Sequence, residues 1–244
     1  MSSYIAAGTS RPSSDEEKKV RTMRALVESQ DLSAKDLSDE TIRRFLRARN
    51  LDVEKGSSML VKYLQWRREF VPNGHFNRED VIGIGGLLNT LYLQGYDRIG
   101  RPILVVLAGN HKPVSNIDDF KRYAVYAVDK VCSRLPSGQE KFVVIVDMKG
   151  YGYANNDARA FTAGLSILQD YYPERLGKMF FVHVPSVFKA AWKIISPFVD
   201  KNTKNKIAFL ESKKMKAVMG QDIDESQLPE LYGGKLKLVS IVNS

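Results

Sequence analysis

Residues 169–210 concentrate the chemistry of this chain. They offer a carboxylate–guanidinium pair, Glu174-Arg175, a histidine in an apolar run, His183, and six lysines at 178, 189, 193, 201, 204 and 206. Lysines beside apolar surface suit an anionic membrane, where each nearby Lys or Arg adds about 1 kcal/mol. One predicted helix here is unusual. Val187, Phe188, Ala190, Ala191, Trp192, Ile194 and Ile195 cover most of its circumference, and only Lys189 and Lys193, four apart, interrupt them. A helix packed on one layer needs an apolar arc of only about 100°. The surplus must face a second packing layer, a ligand or a membrane.

Groups for bond-making chemistry are present but dispersed. Asp147 ends an apolar run, where catalytic groups stand in open α/β sheets. The turn Met148-Lys149-Gly150 that follows favours reading it as a backbone cap. His75, His111 and His183 fall in unrelated segments, and His183 reads as a core histidine with its hydrogen bonds satisfied. Cys132 is the single cysteine. It excludes internal disulfides and a cysteine-based zinc site, and reads as a buried structural thiol. No GxSxG, GxxxxGK[ST] or HExxH motif occurs. Gly83-Ile84-Gly85-Gly86 lacks the dinucleotide fingerprint. A non-enzyme is expected, with no catalytic residue, no metal and no cofactor.

Around these residues, the pattern changes once along the chain. Residues 1–14 are small and polar and are expected to be a disordered tail. Residues 15–75 read as helical: a charged helix over 15–30, a linker over 31–35, a second helix capped by Ser38, and a third over Val53–Phe70. The second helix has an apolar stripe, Ile42, Phe45 and Leu46, opposite Arg43, Arg44, Arg47 and Arg49. The third turns Met59, Leu60, Tyr63, Leu64 and Trp66 inward. Over 76–244, β-branched runs at Pro102–Leu107, Phe142–Asp147, 178–184 and 206–210 alternate with helical patterns at 118–135 and 157–172. The latter carries a stripe at Phe161, Leu165, Leu168 and Tyr172. Gly177 is expected to close that helix, and Ser186 to cap the next. The alternation predicts an α/β lobe with a largely parallel, buried sheet.

The chain has 244 residues, 43% of them hydrophobic, and a net charge of +9. That balance favours an anionic partner. No window reaches the roughly 18–20 apolar residues of a membrane span, and the N-terminus lacks a secretory layout. A soluble, cytoplasmic protein is expected. The arginine-bearing helices lack the aromatic ladder of single-strand binders, and no zinc finger is present, so no nucleic acid is expected.

Five stretches, in this order, resemble the CRAL-TRIO lipid-binding family, of the secretory phosphatidylinositol-transfer type and especially its short plant members. They are IRRFLRARNLDVEKG at 42–56, DRIGRPI at 97–103, VVIVDMKGYG at 143–152, YYPERLGKMFFVHVPSVFKAAWKIISPFVD at 171–200 and LPELYGGK at 228–235. The resemblance implies a helical N-terminal unit followed by a lobe whose sheet floors a lipid pocket. It implies a monomeric, non-enzymatic carrier of phospholipid, in particular phosphatidylinositol, in reversible contact with anionic membrane. Another apolar ligand, such as a sterol or a tocopherol-like molecule, is the alternative. The family's headgroup set maps to Arg49, Glu174, Thr203 and Lys206. Its mobile membrane gate maps to the over-apolar helix, with Phe188, Trp192, Ile195 and Phe198. Two departures stand out. Asn50 follows the RAR run where a lysine is common. Tyr151 and Tyr153 stand where the choline-lipid site carries small hydroxyl residues; their aromatic faces suit a quaternary ammonium or a reshaped second-ligand pocket.

Overall fold

The computed structural model describes residues 13–244, apart from residues 72, 85, 86 and 88 and the side chains of Ala191 and Phe198. The chain divides into two compact units. The expected tail falls almost wholly outside the described residues, and Ser13 and Ser14 already begin the first helix.

The first unit contains the leading helices and also Leu165–Glu174, a segment the sequence assigned to the lobe. Helix α1 (Ser14–Gln30) is capped by Ser13, whose Oγ accepts from the Glu16 amide. A short 3-10 turn, Leu32–Asp36, replaces the expected linker. Helix α2 (Asp39–Arg47) starts at Ser38, whose Oγ accepts from the Thr41 amide. Helix α3 (Val53–Phe70) starts at Asp52, whose carboxylate accepts from the Lys55 amide. Val20, Met23 and Val27 of α1, Ile42, Phe45 and Leu46 of α2, and Met59, Leu60 and Leu64 of α3 form one core. Arg44 departs from the expected solvent face. It is buried and donates to the Thr41 hydroxyl.

The second unit comprises Asn77–Gly164 and Arg175–Ser244. Its helices are α4 (Glu79–Ile82), α5 (Ile117–Ser133), the first half of α6 (Ala158–Tyr171), α7 (Ser186–Ile195), α8 (Lys201–Asn205) and α9 (Met215–Asp222). Its sheet runs in the order β1 (Leu91–Tyr96), β2 (Pro102–Leu107), β3 (Phe142–Asp147), β4 (Leu176–Val182), β5 (Ile207–Leu210). Only the β1–β2 pairing is antiparallel; the other three are parallel. Side chains alternate between sheet faces. Ile103, Val105, Val143, Ile145, Phe180 and Val182 point to one face, where they pack with Met219, Ile223, Leu228 and Tyr232. The chain's last residues run along the free edge of β1. The Leu93 amide donates to Val239 O at 3.1 Å, Tyr92 bridges to Ser240, and Arg78 Nε donates to Val242 O at 3.0 Å.

Several expectations are corrected. Strand β1 was not foreseen. Gly177 lies inside β4, not at a helix end. A Cβ there would stand 2.9 Å from Arg101 Cδ and 3.2 Å from Phe142 O, so a larger residue would require the arginine to shift. Ser186 is the first residue of α7, and Pro185 precedes it without a side-chain cap. On α6, Ala160 and Ile167 are the buried residues, whereas Phe161 and Leu168 of the expected stripe are partly exposed. Cys132 is half-buried rather than fully buried. The glycine-rich stretch at 83–86 lies partly outside the described residues.

Candidate functional site

The second face of the sheet carries the alternate residues. Val146 of β3, Met179 and Phe181 of β4, and Ile207 of β5 point here, and helix α7 lies over them. The aromatics interlock. Phe188 stands 5.2 Å from Phe181 and 6.3 Å from Trp192, while Phe181 stacks on Phe209 at 5.1 Å and Trp192 meets Phe209 edge-on at 5.5 Å. Yet the cover is incomplete. Val146, Met179 and Ile207 are only half-buried, and Phe209 is 45% exposed. An apolar sheet face left partly open has the character of a ligand floor.

Helix α7 turns its aromatic face inward. Phe188 is buried, and Trp192 and Ile195 are half-buried. Its large outward apolar residue is Ile194, 73% exposed, on the same solvent side as the exposed Lys189 and Lys193. The sequence named Phe188, Trp192 and Ile195 as the gate but not Ile194. The side chain of Phe198 lies outside the described residues. Tyr151 and Tyr153 part company. Tyr151 meets Phe188 edge-on at 5.9 Å and donates to Asn156 Oδ1 at 3.1 Å, whereas Tyr153 is 85% exposed on a 3-10 turn. Only Tyr151 therefore reaches the apolar floor.

The four headgroup candidates divide between the units. Arg49 and Glu174 belong to the first. Arg49 lies in the turn two residues past the end of α2, just before two left-handed residues, Asn50 (φ 53) and Leu51 (φ 62), which turn the chain into α3. Leu51 in that region costs about 1–2 kcal/mol, so the tight turn is held by its surroundings. Arg49 is half-buried, with Nη1 donating to Ala48 O. Glu174 is half-buried and itself left-handed (φ 59), following buried Tyr172 and Pro173.

Thr203 and Lys206 belong to the second unit. Asp200 caps α8 through the Thr203 amide at 2.8 Å, and the Lys206 amide donates to Thr203 O at 3.0 Å. This places both at the entry to β5, where Lys206 O accepts from the Met179 amide. Burial alone would raise the Asp200 pKa. Hydrogen bonds from Thr203 and Asn202 and the nearby Lys206 charge outweigh it and hold the carboxyl below its ordinary range. Exposed Lys201 and Lys204 add positive charge beside it.

At the end of β3, Asp147 is buried and fully engaged. One oxygen accepts from the Lys149 amide at 2.9 Å and faces His183 Nδ1 at 2.8 Å; the other accepts from the Tyr232 hydroxyl at 3.2 Å. The turn-cap reading of Asp147 holds, and His183 is satisfied as expected, although it lies just past β4 with φ 52. Burial first, then the Asp147 charge, pushes the Tyr232 pKa well above its ordinary value. The aspartate, histidine and tyrosine thus tie the ends of two strands to the 3-10 turn Glu230–Tyr232.

Sequence reasoning missed Phe181 and Phe209 as floor residues. The signal was available, because they are register partners on adjacent parallel strands and period two puts them on the α7 face. Among the described residues there is no candidate metal cluster, and no helix is long and apolar enough to cross a membrane.

Comparison with known proteins bears on this geometry. The model of the CRAL/TRIO domain matches residues 88–234. The chain is 32% identical over 221 residues to the Sec14 cytosolic factor of Schizosaccharomyces pombe, covering 81% of this chain and 75% of that protein. It is 30% identical over 237 residues to the phosphatidylinositol/phosphatidylcholine transfer protein SFH13 of Arabidopsis thaliana, covering 86% of this chain but only 37% of that longer protein. The crystal structure of Sfh5 superposes with a TM-score of 0.71 at 21% identity, over 96% of this chain and 91% of that one, which speaks to the fold. With a domain match over more than half its length, a half-open apolar sheet face and a helix laid across it, this chain belongs to the CRAL/TRIO family.

Proposed function

We propose that this chain binds a phospholipid, phosphatidylinositol first, and moves it between membranes or presents it to lipid-modifying enzymes without changing a covalent bond. The half-open apolar face of β3–β5 beneath α7 carries this reading. A two-chain phospholipid has roughly 30 methylenes, each worth about 0.8 kcal/mol of burial, so it does not leave a bilayer for water unaided. A sheet face lined by Val146, Met179, Phe181, Ile207 and Phe209 offers the acyl chains comparable apolar surroundings. Helix α7 is the element suited to move. Outside it, Ile194 beside Lys189 and Lys193 suits shallow insertion into an anionic membrane surface, which makes the association peripheral and reversible. The names of the relatives, one a phosphatidylinositol/phosphatidylcholine transfer protein, point the same way.

In this reading Lys206 supplies a point charge to the headgroup phosphate and Arg49 a rigid fork, while Glu174 accepts inositol hydroxyls. The test is transfer of labelled phosphatidylinositol between vesicles. Lys206→Ala and Glu174→Ala each lose charge-assisted hydrogen bonds of about 1.5–3 kcal/mol, a drop of about 10- to 100-fold in affinity. Unchanged transfer in both variants overturns the headgroup assignment. An unmodified protein that neither transfers phosphatidylinositol nor yields it on lipid extraction overturns the function.

A further inference from the structure

The first unit carries a feature that none of this uses. A half-open depression of about 380 Å³ lies where α3 meets the end of α6. Three cations line it, Arg49, Lys55 and Lys62, against one carboxylate, Asp170, with the hydroxyls of Ser58 and Tyr171 between them. On α3 the arrangement follows from spacing. Residues 55, 58, 59 and 62 stand at i, i+3, i+4 and i+7 and share one helix face. A face with two lysines and a serine ordinarily stays in solvent. Here Met59 is buried and anchors the floor, while the two lysines stand at its ends in solvent. The wall from α6 is stiff. The Tyr171 ring lies on Trp66 with centroids 3.8 Å apart and planes 4° apart.

Little neutralises these cations. Lys55 meets Asp52 at 3.2 Å, but Asp52 is already the cap of α3 and the Lys55 side chain is 74% exposed, so the pair is weak. Among the described residues no ion pair holds Lys62. The volume sits at the small end of ligand sites. It suits a compact polyanion rather than an acyl chain.

We propose that this depression is an anion subsite that takes the phosphate monoesters of a phosphorylated inositol, supplied as a lipid headgroup or as a free inositol phosphate. Lys55 and Lys62 bind the monoesters as point charges and Arg49 binds them through its fork. Ser58 and Asp170 engage ring hydroxyls. Arg49 is the residue shared with the proposed phosphatidylinositol site, and the lipid-headgroup arm rests on that reading. A headgroup carrying extra phosphates would gain contacts here that plain phosphatidylinositol cannot make, which turns the carrier into a reader of phosphorylation.

The experiment uses the full chain and inositol trisphosphate, titrated by calorimetry. The unmodified protein is expected to bind, and to bind less tightly as salt rises. Lys55→Gln with Lys62→Gln should weaken binding at least about tenfold with an unchanged melting temperature, since both side chains are exposed. Lys55→Arg with Lys62→Arg should retain binding, because the charge stays. No binding by the unmodified protein, or equal binding by the glutamine variant, overturns the proposal. A parallel arm measures sedimentation with phosphatidylcholine vesicles carrying phosphatidylinositol bisphosphate. Lysine-dependent retention there assigns the lipid headgroup as source, whereas lysine-dependent binding of the soluble compound alone assigns the free inositol phosphate. Transfer of unphosphorylated phosphatidylinositol is measured alongside; its absence together with lysine-dependent trisphosphate binding removes the carrier reading and leaves the subsite standing.

Discussion

Truncating Phe188 and charging Ile194 separate the two faces of α7. Phe188 is 5% exposed and touches three rings, Phe181, Tyr151 and Trp192. Deleting a buried phenylalanine side chain costs about 3–5 kcal/mol, part of it ring–ring contact of about 0.5–1.5 kcal/mol per pair. Its neighbours Trp192, Val146 and Ile207 are only half-buried, so the gap can partly collapse or fill with water. The lower end, about 3 kcal/mol, is expected for Phe188→Ala. At about 2–4 °C per kcal/mol for a chain of this size, the melting temperature should fall by about 6–12 °C. Ile194 is 73% exposed, and surface substitutions stay within about 0.5 kcal/mol. Ile194→Asp should therefore melt within about 2 °C of the parent yet lose binding to anionic vesicles, because it replaces the exposed apolar side chain with a carboxylate that an anionic surface repels. Calorimetric melts paired with vesicle co-sedimentation read both effects. A normal melt for Phe188→Ala would show that the aromatic cluster does not hold α7 down. Full vesicle binding by Ile194→Asp would show that the outer face is not the contact.

Other outcomes follow from individual contacts. Phosphatidylcholine transfer should be weaker than phosphatidylinositol transfer, since Tyr151 fills the place beside Phe188; equal rates in the vesicle assay would refute this. Tyr232→Phe leaves one oxygen of buried Asp147 without its hydroxyl donor and should cost about 1–3 kcal/mol in denaturant unfolding, with no loss counting against the network. Tyr123 and Tyr232 are held neutral, chiefly by burial, far above the value of about 10 at which an unfolded tyrosine ionises. Their contribution is fully present below that pH and is lost as pH rises above it, so stability should decline above about pH 10. A flat stability profile to higher pH would refute that assignment. Gly234→Ala would drive a Cβ into the Leu228 carbonyl oxygen, and a variant that melts like the parent would mean the 228–236 turn repacks freely.

The limits of α3, β2 and β3 were legible because each has a local cause: a capping aspartate at Asp52, or a β-branched run cut by turn residues. The α7 helix and its apolar surplus were legible for the same reason. What escaped was set at a distance. Strand β1 carries Gly95, a poor strand former, and is held by pairing with β2 and by residues 239–240. Gly95 sits there with φ 73, where a Cβ would meet Gln227 O at 2.5 Å, a constraint from 132 positions later in the chain that no local pattern carries. Gly177 was read as a helix stop because glycine often is one, whereas it lies inside β4 beside Arg101. Of the candidate site, the residue types and their elements could be read from the chain. That Phe188 faces inward while Ile194 faces outward could not, because seven apolar residues around one helix leave its rotation undetermined until a sheet takes one side.

The seam at β1 has a consequence for handling the protein. An edge strand with open amides and carbonyls is a template for another chain. Here residues 239–242 lie along that edge, and buried Ile241 clips them down. Removing the stretch beyond Leu238 would take away this guard together with two buried side chains, Ile241 and Val242. Such a truncation should therefore cost stability and open the edge at once. Self-association through an unmasked β1 would then appear as concentration-dependent light scattering.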